Sequence, residues 1–162
     1  MKKKYLLITF FTFLLFIFVI ILFNSDLTSN GKVIQDSLSK YSLCLSELKK
    51  EEYSIVNDYN SVTGEKYNND HATLLILENI VIPNYTAYLE KVKQTETYCD
   101  EINEIHDIYV TYSEKTLQSF ICFKEGLRKN DSSKIKEGKS KLDSAKNNLE
   151  SFNKKLSKLS SK

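Results

Sequence analysis

KIKEGKSKLDSAKNNLESFNKKLSKL, residues 134–159, carries its apolar and small side chains at Ile135, Gly138, Leu142, Ala145, Leu149, Phe152, Leu156 and Leu159. Alternating steps of three and four place all of these on one side of an α-helix, and lysines fill the outer positions. Gly138 and Ala145 on that seam predict close approach to a neighbouring helix. A helix that is apolar on one side only must cover that side, so the rest of the chain has to supply partners.

Three comparable segments precede it. The first has the seam Ile34, Leu38, Tyr41, Leu45, Leu48, Glu52, Ile55, Tyr59 and Val62, with Gly64 placed as a C-terminal cap and Glu52 the one polar break. The second starts at Asp70 as N-cap and buries Leu74, Leu77, Val81, Tyr85, Tyr88 and Val92. Pro83 lies inside it, lacks a backbone donor and crowds the carbonyl of Asn79, which predicts a kink or a break. The third opens with Thr97 and Asp100 as a capping box and buries Tyr98, Ile102, Ile105, Tyr109, Tyr112, Phe120, Phe123 and Leu127. Lys124, Arg128 and Lys129 complement the dipole at its carbonyl end, and residues 130–133 make the next turn. One proline, four glycines and no tryptophan argue against a β-fold rich in tight turns. The expectation for residues 33–162 is all-α: an antiparallel four-helix up-down bundle whose second helix is kinked at Pro83.

Ahead of the bundle, residues 5–23 form a nearly unbroken apolar run with six phenylalanines, behind Lys2, Lys3 and Lys4. As a helix this run would measure roughly 28 Å, enough for a hydrocarbon core of about 30 Å. The lysines assign residues 1–4 to the cytoplasm as a stub, residues 5–23 to a transmembrane signal anchor, residues 24–32 to a linker and the bundle to the extracytoplasmic side. A cleaved signal peptide is the rival reading; the run is longer than the usual apolar core and no small-x-small site follows it.

The net charge of +2 is unevenly laid out. Residues 24–123 hold 8 lysines against 16 acids, and residues 124–162 hold 12 basic residues against 5 acids. The simpler expectation is that acidic body and basic tail attract each other within one fold; the alternative is a basic last helix that binds an anionic envelope polymer. Nothing resembles a nucleic-acid module, and the location argues against one.

In an antiparallel bundle, residues at equal height have numbers that sum to a constant: about 133 for the first pair of helices, about 191 for the second and about 261 for the third. Those values put His106 level with Tyr85, residues 48–52 and residues 154–155. Glu52, Tyr85, His106 and Tyr109 are thus a candidate polar pocket, with Glu52 and His106 as proton partners or cation ligands. The plainer reading is a satisfied polar layer that sets register, or a Glu52–Lys155 ion pair at the rim. A ferritin-like metal set is not expected, since Asn103 rather than Glu precedes His106 by three. His71 reads as a surface residue. Cys44 and Cys99 fall within a turn of each other and are the candidate disulfide, against separate small buried thiols, while Cys122 lies near the opposite end. Val33, Ile34 and Leu38 extend below the other helices as a candidate stalk that pairs with a second copy or another membrane protein, unless they dip into the membrane interface or pack on the Tyr98 turn. No nucleophile–base pair, metal set or cofactor motif is legible, so no catalytic residue, metal or cofactor is expected.

The run Ile82-Pro83-Asn84-Tyr85, then His106-x-x-Tyr109, Asn130-Asp131 and the leucine-rich last helix resembles small membrane-anchored helical proteins of low-GC Gram-positive bacteria. The resemblance implies a helical bundle and an envelope location. The functional expectation is a non-enzymatic, single-pass envelope protein whose bundle binds a protein partner or an envelope polymer. The alternative is an extracytoplasmic ligand-sensing domain that acts through a membrane partner.

Overall fold

The computed structural model describes residues 29–161, which are helical throughout apart from short connections, with no strand among them. Helix α1 spans Ser29–Asn60 and is followed by a 3-10 turn, Gly64–Lys66. Helix α2 (Asp70–Ile76) passes through a π-helical turn (Leu77–Val81) into α3 (Ile82–Lys93). Two long helices complete the chain, α4 (Asp100–Lys129) and α5 (Ser132–Ser160). The α-helical bundle expected from the periodicity is present. Residues 5–23, read above as a membrane anchor, lie outside the described residues; no helix among those described is long and apolar enough to cross a membrane.

Local chemistry accounts for most boundaries, with shifts of a residue or more from the sequence reading. Asn69, not Asp70, caps α2: its side chain accepts the Ala72 N–H at 2.8 Å. The expected Thr97 capping box does not form; α4 starts behind Cys99, which contributes no side-chain cap. Gly64 does adopt the left-handed conformation expected of a cap, φ +63°, but α1 has already ended at Asn60. Helix α1 begins at Ser29, inside the stretch expected to be a joint. Pro83 is accommodated by the π turn just ahead of it, where the Ile82 N–H reaches back five residues to the Leu77 carbonyl. The wider turn re-spaces the backbone before the ring that has no N–H to offer.

Helices α4 and α5 form the tightest pair. Asn130, left-handed at φ 52°, ends α4, and Asp131 opens α5 by accepting the Ser133 and Lys134 N–H groups at 2.8 and 3.2 Å. A Cβ on Gly138 would come within 2.6 Å of the Phe123 ring, and one on Gly126 within 2.6 Å of Ile135. Together with the Tyr109–Phe152 ring contact at 4.8 Å, these pairs all sum to 261, as the sequence suggests.

The pair α3 and α4 is set differently. Tyr88 meets Tyr109 and the Val92 carbonyl meets His106, sums of 197 and 198 rather than about 191. Residues 94–99 do not reverse the chain tightly; Tyr98 takes a left-handed φ of 65° and α4 begins well below the end of α3. That overhang changes two expectations. Leu38 is not left without intrachain partners: it is fully buried in the core with Ile102 and Leu159, and Ile34 packs against it. Of the candidate stalk, Val33 alone stays outward, 60 % exposed. The second consequence concerns His106, below.

Candidate functional site

Tyrosines dominate the middle of the bundle. Tyr41, Tyr85, Tyr88 and Tyr109 are each fully buried, and a buried phenol must find a partner for its hydroxyl. Glu52, the one acid on the α1 seam, is that partner for several of them and is itself buried. The Tyr85 hydroxyl from α3 donates to Glu52 Oε1 at 2.6 Å, and the Tyr109 hydroxyl from α4 donates to Oε2 at 3.2 Å. Tyr88 and Tyr109 share a hydroxyl–hydroxyl bond of 2.8 Å. Since Tyr109 spends its proton on the carboxylate, Tyr88 is the donor in that bond. Tyr112, next to them on α4, also favours the charged form of the carboxyl. One side chain of α1 therefore ties α3 and α4 together.

Charge in this hub is held against burial. Desolvation raises the Glu52 carboxyl above its ordinary range, opposed by the hydroxyls of Tyr85, Tyr112 and Tyr109 and by the nearby Lys49 ammonium. Lys49 stands one turn before Glu52 on the same helix, with its ammonium 5.8 Å from the Phe152 ring centre. Burial lowers its pKa to about 8, against the favourable pull of Glu52. The phenols of Tyr85, Tyr109 and Tyr112 are pushed well up, by burial first and then by the Glu52 charge. They remain protonated donors.

Three of the four residues expected to share a pocket are thus together: Glu52, Tyr85 and Tyr109. His106 is not bonded to this carboxylate. Because α4 begins low, His106 stands at the height of Val92 and Tyr41, and the proton pairing with Glu52 is replaced by two other bonds. Its Nε2 lies 2.9 Å from the Val92 carbonyl and its Nδ1 lies 3.0 Å from the Tyr41 hydroxyl. A carbonyl only accepts, so Nε2 carries the hydrogen and Nδ1 accepts from Tyr41. Burial lowers the His106 pKa, partly offset by the Val92 carbonyl. The Glu52–Lys155 ion pair is absent as well: Lys155 is exposed on the outer side of α5 while Glu52 is buried.

The other expected sites resolve more simply. Cys44, Cys99 and Cys122 are free thiols, the alternative to the candidate Cys44–Cys99 bridge; Cys44 faces Tyr98, and Cys99 packs on the core. His71 is exposed, as expected. No cluster of three or more His, Cys, Asp or Glu suited to a metal occurs among the described residues. The sequence reading missed Tyr88, Tyr112, Tyr41 and Lys49 as members of the polar interior. For the three tyrosines the signal was in plain sight: seam positions filled by tyrosine where leucine would pack as well imply hydroxyls with an acceptor to reach, whereas Lys49 stands off the seam and gave no such signal.

The arrangement can hold one proton or one negative charge at Glu52 and fix the relative heights of α1, α3 and α4. The chain matches no protein-family model, and neither a curated protein nor a solved structure shows significant similarity to it.

Proposed function

We propose that this protein is a single-pass membrane-anchored, extracytoplasmic helical bundle that acts by binding, not by catalysis, with its outer surface engaging an envelope component. The observation that carries the reading is the state of the interior. Every buried side-chain nitrogen and oxygen among the described residues has a hydrogen-bond partner. The carboxylate, the imidazole and the phenols, the groups with the most chemical capacity, are all committed to one another. A polar interior used up in this way serves register and rigidity, and leaves recognition to the surface. The apolar run 5–23 behind three lysines supplies the anchor and the orientation.

Chemical crosslinking of the epitope-tagged full chain in intact cells tests this. The expected result is a discrete adduct, with a C-terminal tag open to externally added protease. A full chain recovered only as a lone monomer, or a C-terminus shielded until cells are lysed, would overturn the reading.

A further inference from the structure

The interior holds two buried titrating centres, at different heights and of opposite response to acid. Glu52 lies about 16 Å beyond Tyr41 along α1. Its carboxyl is raised, so the protonated form that acid brings suits the buried hub. The cluster of Tyr41, His106 and Val92, nearer the starts of α1 and α4, is built instead for a neutral imidazole. Both ring nitrogens are engaged: the Nε2–H donates to the Val92 carbonyl at 2.9 Å, and Nδ1 accepts the Tyr41 hydroxyl at 3.0 Å. A proton added at Nδ1 turns that acceptor into a donor. The Tyr41 oxygen can turn to accept it, but the hydroxyl hydrogen then loses its acceptor in a fully buried place. Burial, with a smaller push from Cys44, holds this phenol protonated, so it does not leave as a phenolate.

The surroundings do little to compensate a cation. On α1 the titratable groups are Tyr41 and, beside it, Cys44. From α3 the ring meets the Val92 carbonyl, while Lys91 and Lys93 are exposed and paired with Glu51 and Glu114. On α4 the Tyr109 ring lies 6.5 Å away, and the adjacent Asp107 carboxylate favours the charged ring less than burial opposes it. Lys155 of α5, level with His106, is exposed and carries a further positive charge.

We propose that Tyr41, His106 and Val92 form an acid-operated latch: protonation of His106 frees the start of α1 from α3 and α4, while the Glu52 hub keeps the rest of the bundle closed. The inference goes beyond the binding role above and holds whichever surface binds. Release uncovers Leu38 and Ile102, both fully buried when the latch is shut. At the same end the link 94–99 is tied to α1 at the surface, where Lys40 Nζ lies 5.4 Å from the ring centre of the exposed Tyr98. Helices α4 and α5 stay together through contacts the latch does not touch, those of Gly138 with Phe123 and Gly126 with Ile135.

The test follows amide hydrogen exchange of the full chain in neutral detergent micelles at about pH 7.5 and about pH 5, corrected for the intrinsic pH dependence of exchange. A helix end deprived of its packing frays, so amides of residues 34–45 should exchange at least about fivefold faster at the lower pH. Those of residues 112–128 and 138–156 should stay protected. With histidine labelled selectively, the His106 ring should titrate with the same midpoint as the opening, and exposed His71 supplies the reference. His106→Gln takes up no proton, so the ratio of its two rates should be about one whatever its basal level. Should that variant fail to fold, the coincidence of midpoints in the unaltered chain decides. Equal protection at both pH values, loss of protection along all the helices together, separate midpoints, or an acid response kept by His106→Gln would overturn the proposal. No partner or membrane topology enters these readouts, so the crosslinking and protease tests above can fail while this one succeeds.

Discussion

Tyr85→Phe probes the hub with the least collateral change. The ring stays, with its edge contacts to Tyr88 and Phe120 at 5.0 and 5.4 Å, and one hydroxyl is lost. That hydroxyl makes a 2.6 Å bond to a buried carboxylate. A hydrogen bond to a charged group contributes about 1.5–3 kcal/mol, so the variant should lose about 2 kcal/mol where Glu52 is ionised. For a domain of this size that corresponds to a fall in melting temperature of roughly 6 °C. The loss should depend on pH. Tyr85 favours the charged form of Glu52, so removing it raises the carboxyl further. Below the folded pKa of Glu52 the hydroxyl meets a neutral carboxyl, where a bond contributes only about 0.5–1.5 kcal/mol. Urea unfolding followed by far-UV circular dichroism, at several values between about pH 5 and pH 9, should show the penalty shrinking as pH falls. A penalty that is the same across the series, or below about 0.5 kcal/mol throughout, would refute the idea that Tyr85 supports a buried charge.

Three further predictions concern the same interior. The folded pKa of Glu52 is raised, so its contribution to stability is complete below the unfolded value and is lost as pH rises through the folded one. Glu52→Gln should remove that decline in equilibrium unfolding, and a variant that keeps it would exclude Glu52 as the source. His106 works in the other sense: its folded pKa is lowered, so stability is complete above about 6.5 and falls as pH drops toward the folded value. His106→Gln should cost about 1–2 kcal/mol at neutral pH for two lost bonds and should abolish the acid-side fall, read by urea titration. Gly138→Ala should destabilise by about 1 kcal/mol even after the gain in helix propensity, because the new methyl meets an aromatic ring and the Ser119 carbonyl. Gly126→Ala, which meets mainly the flexible end of Ile135, should cost less; thermal melts compare the two, and the opposite order would mean that the α4–α5 contact is looser than described.

Much of the architecture was written in spacing. The seams of α1, α4 and α5, the break near Pro83 and the turn at Asn130 and Asp131 follow from periodicity and backbone chemistry that each segment carries within itself. The register of α4 against α5 was legible too, because a two-residue link leaves the chain little freedom in where the next helix begins. Gly138 marked the close approach for the same local reason: a missing side chain is visible without coordinates.

What the residues alone settled, then, was helix against strand, which side of each helix is buried, and that Glu52 is the one polar break on the first seam. What only the tertiary structure decided was height. The six residues between α3 and α4 let one helix slide past the other, and the overhang gave His106 to Tyr41 and Val92 while Glu52 kept Tyr85 and Tyr109. It also tucked Leu38 into the core. Side-chain periodicity is a property of one helix and survives such a slide unchanged, whereas every partnership between helices depends on the path of the connection, which periodicity does not encode.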